Sequence, residues 1–253
     1  MYLVWCCIVF YQFTNCCDAT MSTKEERSVA ACLQGAKRAL PIVLGYIPIG
    51  FAYGVLAGKS GLSETNTLLM SLIVFAGSSQ FIAVGLFASG TGPAAVILTT
   101  FVVNLRHMLM AAALTPYLST WKKRHLAFFS YQLTDETFAL HSASASTLHE
   151  CKLEALSLNV TAQASWVSGT ALGIVASGLI GDVKPLGLDY ALAAMFIGLL
   201  VGQCQNSIRL ITAIISGGIA TLLYLAGWHQ FHIIAATILG ATVGLGIELW
   251  TKR

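Results

Sequence analysis

The sequence predicts an all-α, polytopic integral membrane protein with six full spans plus two re-entrant or broken segments. Three observations lead there. Of 253 residues, 56% are hydrophobic and 10% charged, whereas an ordinary soluble domain carries roughly 25% charged residues. Apolar runs near the ~20 residues a bilayer crossing needs recur along the chain, and mean hydropathy is +0.75. Basic residues gather in short clusters between those runs, as cytoplasmic loops do. A water-facing surface cannot be built from so few charges, so a soluble enzyme, a disordered chain and a nucleic-acid binder are excluded. The net charge of +3 offers no polyanion-binding face.

Residues 1–20 (MYLVWCCIVFYQFTNCCDAT) form a short apolar run with no basic leader and no small-residue cleavage site, so they make a poor signal peptide. The stretch from Met21 reads as a polar, basic start, and Met21 is expected to be the initiator. Residues 1–38 are then an N-terminal cytoplasmic segment. The candidate spans follow at 40–57, 67–89, 93–120, 125–148, 155–181, 189–204, 207–225 and 228–248. Residues 125–148 hold Gln132, Asp135, Glu136 and His141, too polar to face lipid. Residues 189–204 are short and run into Gly202-Gln203-Cys204-Gln205-Asn206.

Charge decides the count. Lys24, Arg27, Lys37 and Arg38 precede the first span, Lys122-Lys123-Arg124 follows 93–120, and Lys252-Arg253 closes the chain. The positive-inside rule wants all three clusters cytoplasmic. Three full crossings between the first two would put one outside, unless 67–89 enters and returns by breaking at Gly77-Ser78-Ser79-Gln80. Non-helical backbone survives in a bilayer where protein or a cavity surrounds it. The chain is thus expected N-in and C-in with six spans; eight full spans are the alternative.

A loose internal repeat agrees. Gly50, Gly54 and Gly58 correspond to Gly169, Gly173 and Ser177, and Gln80 to Gln203. Repeats over 39–148 and 149–253, each with three crossings and one re-entrant segment, would be inverted relative to one another, a build found in secondary transporters. The small-xxx-small ladders permit close helix approach and mark the helices of a central seam. Pro41, Pro48 and Pro116 should kink or end helices.

Ionisable groups at bilayer depth are expensive and need a partner or a function. Gln132, Asp135 and Glu136 stand at i, i+3 and i+4, so they share one helical face. Adjacent carboxylates in low dielectric should not both ionise, which suits proton coupling or an ammonium site, Asp135 ahead of Glu136. A structural pair is the other reading. Arg106 lies mid-segment with Asn104 and His107 and must meet Asp135, Glu136 or a substrate carboxylate. Ser78, Ser79 and Gln80, with Gln203 and Asn206 in the second repeat, offer amides and hydroxyls at the proposed breaks, where half-helix ends attract a zwitterion. Trp121, Trp228 and Trp250 stand at segment ends as an interfacial belt would, and Trp166 falls inside a span.

The histidines have no metal-ligand spacing, and the seven cysteines form no CxxC pair, so no metal or cofactor is assigned. No phosphate loop, nucleophile elbow or dinucleotide fingerprint occurs, which leaves a membrane enzyme without support.

Four motifs then carry a resemblance: Arg38-Ala-Leu-Pro-Ile-Val-Leu-Gly-Tyr-Ile-Pro-Ile-Gly-Phe-Ala-Tyr-Gly, Phe75-Ala-Gly-Ser-Ser-Gln-Phe, Asn104-Leu-Arg-His and Tyr131-Gln-Leu-Thr-Asp-Glu-Thr-Phe. From about residue 30 to 250 the chain resembles the AzlC family of branched-chain amino-acid permeases. The resemblance implies a bacterial inner-membrane exporter of neutral amino acids such as valine, leucine, isoleucine or methionine. It also implies a separate small membrane subunit of the AzlD type as partner. It maps no binding residues; those named above rest on the physical reading. A passive channel and a structural membrane subunit are the alternative functions.

Overall fold

The structure is a computed structural model describing residues 24–148, 151–181, 207–227 and 232–251, with single positions or pairs between 187 and 204. Residues 1–20, Gln203, Asn206, Trp228 and most of 189–204 lie outside the described residues. Every regular element among those described is helical. They form two compact units, one up to Ala191 and one from Leu192.

In the first unit α1 (Lys24–Lys59) runs unbroken for 36 residues. The predicted span 40–57 is its C-terminal half; alanine and long unbranched side chains carry the helix back to Lys24. Pro41 and Pro48 lie inside it and do not end it. The predicted segment 67–89 is broken, as expected, but elsewhere. Helix α2 (Glu64–Leu69) is capped by Ser63 and widens into a π-helical turn at Met70–Val74. Phe75 then takes the left-handed region at φ 43°, a conformation that a bulky side chain rarely adopts. Its N–H still reaches Met70 O at 3.1 Å. Helix α3 (Gly77–Ala88) starts two residues later. Gly77, Ser78, Ser79 and Gln80 are therefore its first turn, not the break.

Helix α4 (Pro93–Leu114) has proline in its first turn, where the missing N–H costs nothing. It tightens into a 3₁₀ turn at Thr115–Leu118, where Pro116 closes it. The expected single helix over 125–148 is two: α5 (Lys123–Tyr131) and α6 (Asp135–Ala143), followed by a 3₁₀ turn at Ala145–Thr147. Thr134 is the reason. Its hydroxyl accepts the Thr137 N–H while the Thr137 hydroxyl accepts the Thr134 N–H, a reciprocal capping box. Gln132 ends α5, whereas Asp135 and Glu136 open α6, so the three do not share a helix face. Thr134→Ala should lower stability by about 1 kcal/mol and Thr134→Ser should retain it, as read by thermal unfolding of the purified protein.

Helix α7 (Lys152–Ser177) lies along α1. Their contact is the two glycine ladders meeting. A Cβ on Gly50 would stand 2.8 Å from Trp166 O and one on Gly58 2.8 Å from Ser177 Oγ, while one on Gly54 or Gly173 would strike the opposing backbone at Thr170 O or Phe51 O. Hydrogen cannot be exchanged for methyl at such positions without moving a helix. Beyond the ladder, Arg38 pairs with Glu154 on α7 and donates to Ser144 Oγ at 3.0 Å, so this member of the basic cluster is engaged by the fold.

Trp121 departs from the expected belt. It is 6% exposed and packs edge-on against Phe129 at 5.4 Å between centroids, with Lys152 Nζ 5.5 Å from its ring. In the second unit α8 (Ser207–Leu225) and α9 (His232–Thr251) form a hairpin, Ser216 and Thr212 filling the space beside Gly240 and Gly244. Among the described residues, Ser28–Lys59, Pro93–Leu118 and Ser207–Leu225 are long and apolar enough to cross a membrane.

Candidate functional site

Two broken segments bring two helix starts to one place. Helix α3 begins at Gly77 with Ala76 as N-cap, which supplies no side-chain acceptor. Helix α6 begins at Asp135 with two carboxylates in its first turn. Each helix start carries a partial positive charge, and Arg106 of α4 reaches both. Its Nη1 is 2.7 Å from Asp135 Oδ2, and its Nη2 donates to Ser78 Oγ at 2.5 Å. The expectation that Arg106 meets a carboxylate is met by Asp135. Arg106 keeps 28% and Asp135 17% of side-chain exposure, so the described residues do not enclose the pair completely.

The second carboxylate takes a different neighbour. Tyr46 of α1 places its hydroxyl 2.6 Å from Glu136 Oε2 and 2.7 Å from Thr134 Oγ1. Tyr46 is buried and sits edge-on to Phe75 at 6.3 Å and Trp166 at 5.3 Å. Trp166 stacks on Tyr53 at 6.2 Å and covers Gly77, whose absent Cβ would lie 2.7 Å from the indole. Its Nε1 is buried with no hydrogen-bond partner among the described residues.

The remaining candidates are tied elsewhere. Ser79 donates to Ala76 O at 3.0 Å. Gln80 donates to Ser71 Oγ at 3.1 Å, which stands 2.8 Å from Thr170 Oγ1. Thr170 uses its proton on Trp166 O, so Ser71 is the donor to Thr170, and a one-way ladder links α3, the π turn and α7. Gln132 donates to Gln163 Oε1 at 2.8 Å. Gln163 in turn donates to Tyr131 Oη and to Leu72 O, a π-turn carbonyl that also accepts the Tyr131 hydroxyl. Asn104 Oδ1 is buried without a partner among the described residues, and His107 turns its Nδ1 to Asn104 O at 3.1 Å. Ser78, Arg106 and Asp135 are thus brought together, with Glu136 beside them; Ser79, Gln80 and Gln132 brace the two breaks. Gln203 and Asn206 lie outside the described residues.

Sequence reasoning missed Tyr46, Thr134, Gln163 and Ser71. Thr134-Asp-Glu-Thr137 was a readable capping pattern. The others are neutral residues in apolar runs whose partners lie far along the chain.

Long apolar helices with a polar centre at their breaks define a helical membrane protein. It belongs to the AzlC family: the family model described as AzlC protein matches residues 41–180. A membrane protein of Archaeoglobus fulgidus is 35% identical over 82% of this chain and 91% of its own length. Inner membrane protein YgaZ of Escherichia coli is 31% identical over 85% and 88%. The Branched-chain amino acid transport protein AzlC of Bacillus subtilis is 28% identical over 85% of each chain. No solved structure matches the chain.

Proposed function

We propose that this chain is the large subunit of a secondary transporter that exports neutral branched-chain amino acids across the bacterial inner membrane. Valine, leucine, isoleucine and methionine are the substrates, an AzlD-type small membrane subunit is the partner, and the proton gradient is the drive. The Bacillus subtilis relative's name supports the substrate class. The observation that carries the reading is Arg106 held between Ser78 and Asp135 at the two helix starts. A free amino acid carries the same two charges as that ion pair. Its carboxylate can replace Asp135 on the Arg106 guanidinium, assisted by Ser78 and the uncapped start of α3. Its ammonium then falls to Asp135. Charge stays balanced throughout, which lowers the cost of opening an ion pair in a low dielectric. The apolar side chain rests against Phe51, Phe75 or Phe81, of which the last two are buried.

Six spans, N-in and C-in, with inverted repeats over 39–148 and 149–253, are the topology proposed with it. The facing ladders Gly50/Gly54/Gly58 and Gly169/Gly173/Ser177 support a seam of equivalent helices. Gln203 and Asn206 are proposed as the second repeat's counterpart of Gln80. Protons enter through Asp135 or Glu136.

The test is efflux of preloaded labelled valine, leucine, isoleucine and methionine from bacteria lacking their own exporters. Cells express the chain with and without the small subunit. Efflux that needs the chain and collapses with the proton gradient is the expected result. With both subunits present in the membrane, retention of all four amino acids contradicts the reading.

A further inference from the structure

We propose that Glu136, not Asp135, is the group that takes up and releases the transported proton, with Tyr46 and Thr134 as its positioning residues. The inference rests on the transport reading above and divides the work of its two carboxylates.

Asp135 is committed to a cation, the Arg106 guanidinium 2.7 Å away. Glu136 has no such partner. Among the described residues the ion pairs are Arg38–Glu154 and Arg106–Asp135, and what touches Glu136 is a phenol. The titratable and charged groups facing Glu136 are Tyr46 from α1, Arg106 from α4 and Asp135 beside it on α6, while α7 presents the uncharged Trp166 to Tyr46.

The phenol makes Glu136 tolerant of both protonation states. Tyr46 has one proton and two oxygen neighbours, Glu136 Oε2 at 2.6 Å and Thr134 Oγ1 at 2.7 Å. With Glu136 ionised, Tyr46 donates to the carboxylate and accepts from the Thr134 hydroxyl. With Glu136 protonated, the carboxyl donates to Tyr46 and Tyr46 donates to Thr134 Oγ1. The Thr134 proton then turns to Thr137 Oγ1, 3.2 Å away. Each state leaves every hydroxyl paired, so the chain reverses without leaving a buried polar atom unpaired. One proton joins one carboxylate oxygen, and no other bond is made or broken. Arg106 offers Asp135 no such reversal, because a guanidinium only donates.

The test uses the chain with its small subunit in proteoliposomes and reads two fluxes of labelled leucine: exchange at equal pH, and uphill movement driven by a pH gradient. Glu136→Gln should lose all acceleration of flux by the gradient, and Glu136→Asp should regain part of it. Tyr46→Phe removes the reversing hydroxyl and leaves one state of Glu136 unpaired, so exchange should persist while gradient-driven flux slows. Driven flux equal to that of the unaltered protein, in Glu136→Gln or in Tyr46→Phe, overturns the assignment. If the unaltered protein shows no leucine exchange, the transport reading falls and this assignment with it.

Discussion

Replacing Arg106 with glutamine is expected to abolish amino-acid flux, and replacing it with lysine to reduce flux at least tenfold while the protein still reaches the membrane. The guanidinium meets Ser78 and Asp135 with two different nitrogens. An ammonium is a compact point charge and cannot hold both in one geometry. The glutamine variant also leaves Asp135 without its cation. Removing one partner of a buried pair costs roughly 3–5 kcal/mol, and the partial exposure of this pair puts the loss below that range. Asp135→Asn should lose flux for the complementary reason. The double variant Arg106→Gln with Asp135→Asn removes both charges, so it should recover stability without recovering transport. Initial efflux rates, normalised to protein in the membrane, together with unfolding midpoints, separate the two effects. Transport by Arg106→Lys at the normal rate and affinity would remove Arg106 from the substrate site.

A methyl group on Gly54 or Gly173 is expected to do comparable damage by a different route. Each Cβ would meet backbone on the facing helix, Thr170 O in one case and Phe51 O in the other. Backbone cannot rotate aside as a side chain does, so α1 and α7 must separate and carry Tyr46 and Trp166 with them. The cost should reach or exceed the roughly 1–3 kcal/mol of ordinary overpacking. Gly45 is the internal control: it lies on α1 with none of the described residues within 4 Å of its Cβ position. There alanine gains helix propensity of up to about 1 kcal/mol over glycine. Gly54→Ala and Gly173→Ala should lower the unfolding midpoint and the yield in the membrane, and Gly45→Ala should lower neither. Equal behaviour of the three would contradict the seam.

The seam was legible because it is written in residue size at a fixed spacing, and close approach of two helices needs nothing more. The limits of α8 and the presence of a break within 67–89 were legible for similar reasons, one from an apolar run and the other from charge balance between loops. The position of that break was not. Gly77-Ser78-Ser79-Gln80 has the composition of a breaker, yet the chain turns at Phe75, whose left-handed conformation is held by the packing around it rather than by local preference. The second break was hidden for the opposite reason: residues 125–148 hold no glycine or proline and read as one helix, although Thr134 and Thr137 encode a helix start.

The charged half of the site could be anticipated, since Arg106 and Asp135 each demand a partner at membrane depth. Tyr46 and Gln163 demand none. Their roles arise only when α1 and α7 bring a phenol to Glu136 and an amide to the π turn. Such pairings span long stretches of sequence, which no local spacing rule reaches.

The most direct measurement of the central claim is counterflow of labelled leucine in proteoliposomes holding this chain with its small subunit. The opposite side is loaded in turn with leucine, with leucinol, which lacks the carboxylate, and with 4-methylpentanoate, which lacks the ammonium. A site built on Arg106 and Asp135 needs both charges, so leucine alone should accelerate the labelled flux. Acceleration by either half-molecule to the level of leucine would contradict recognition of the zwitterion by that pair.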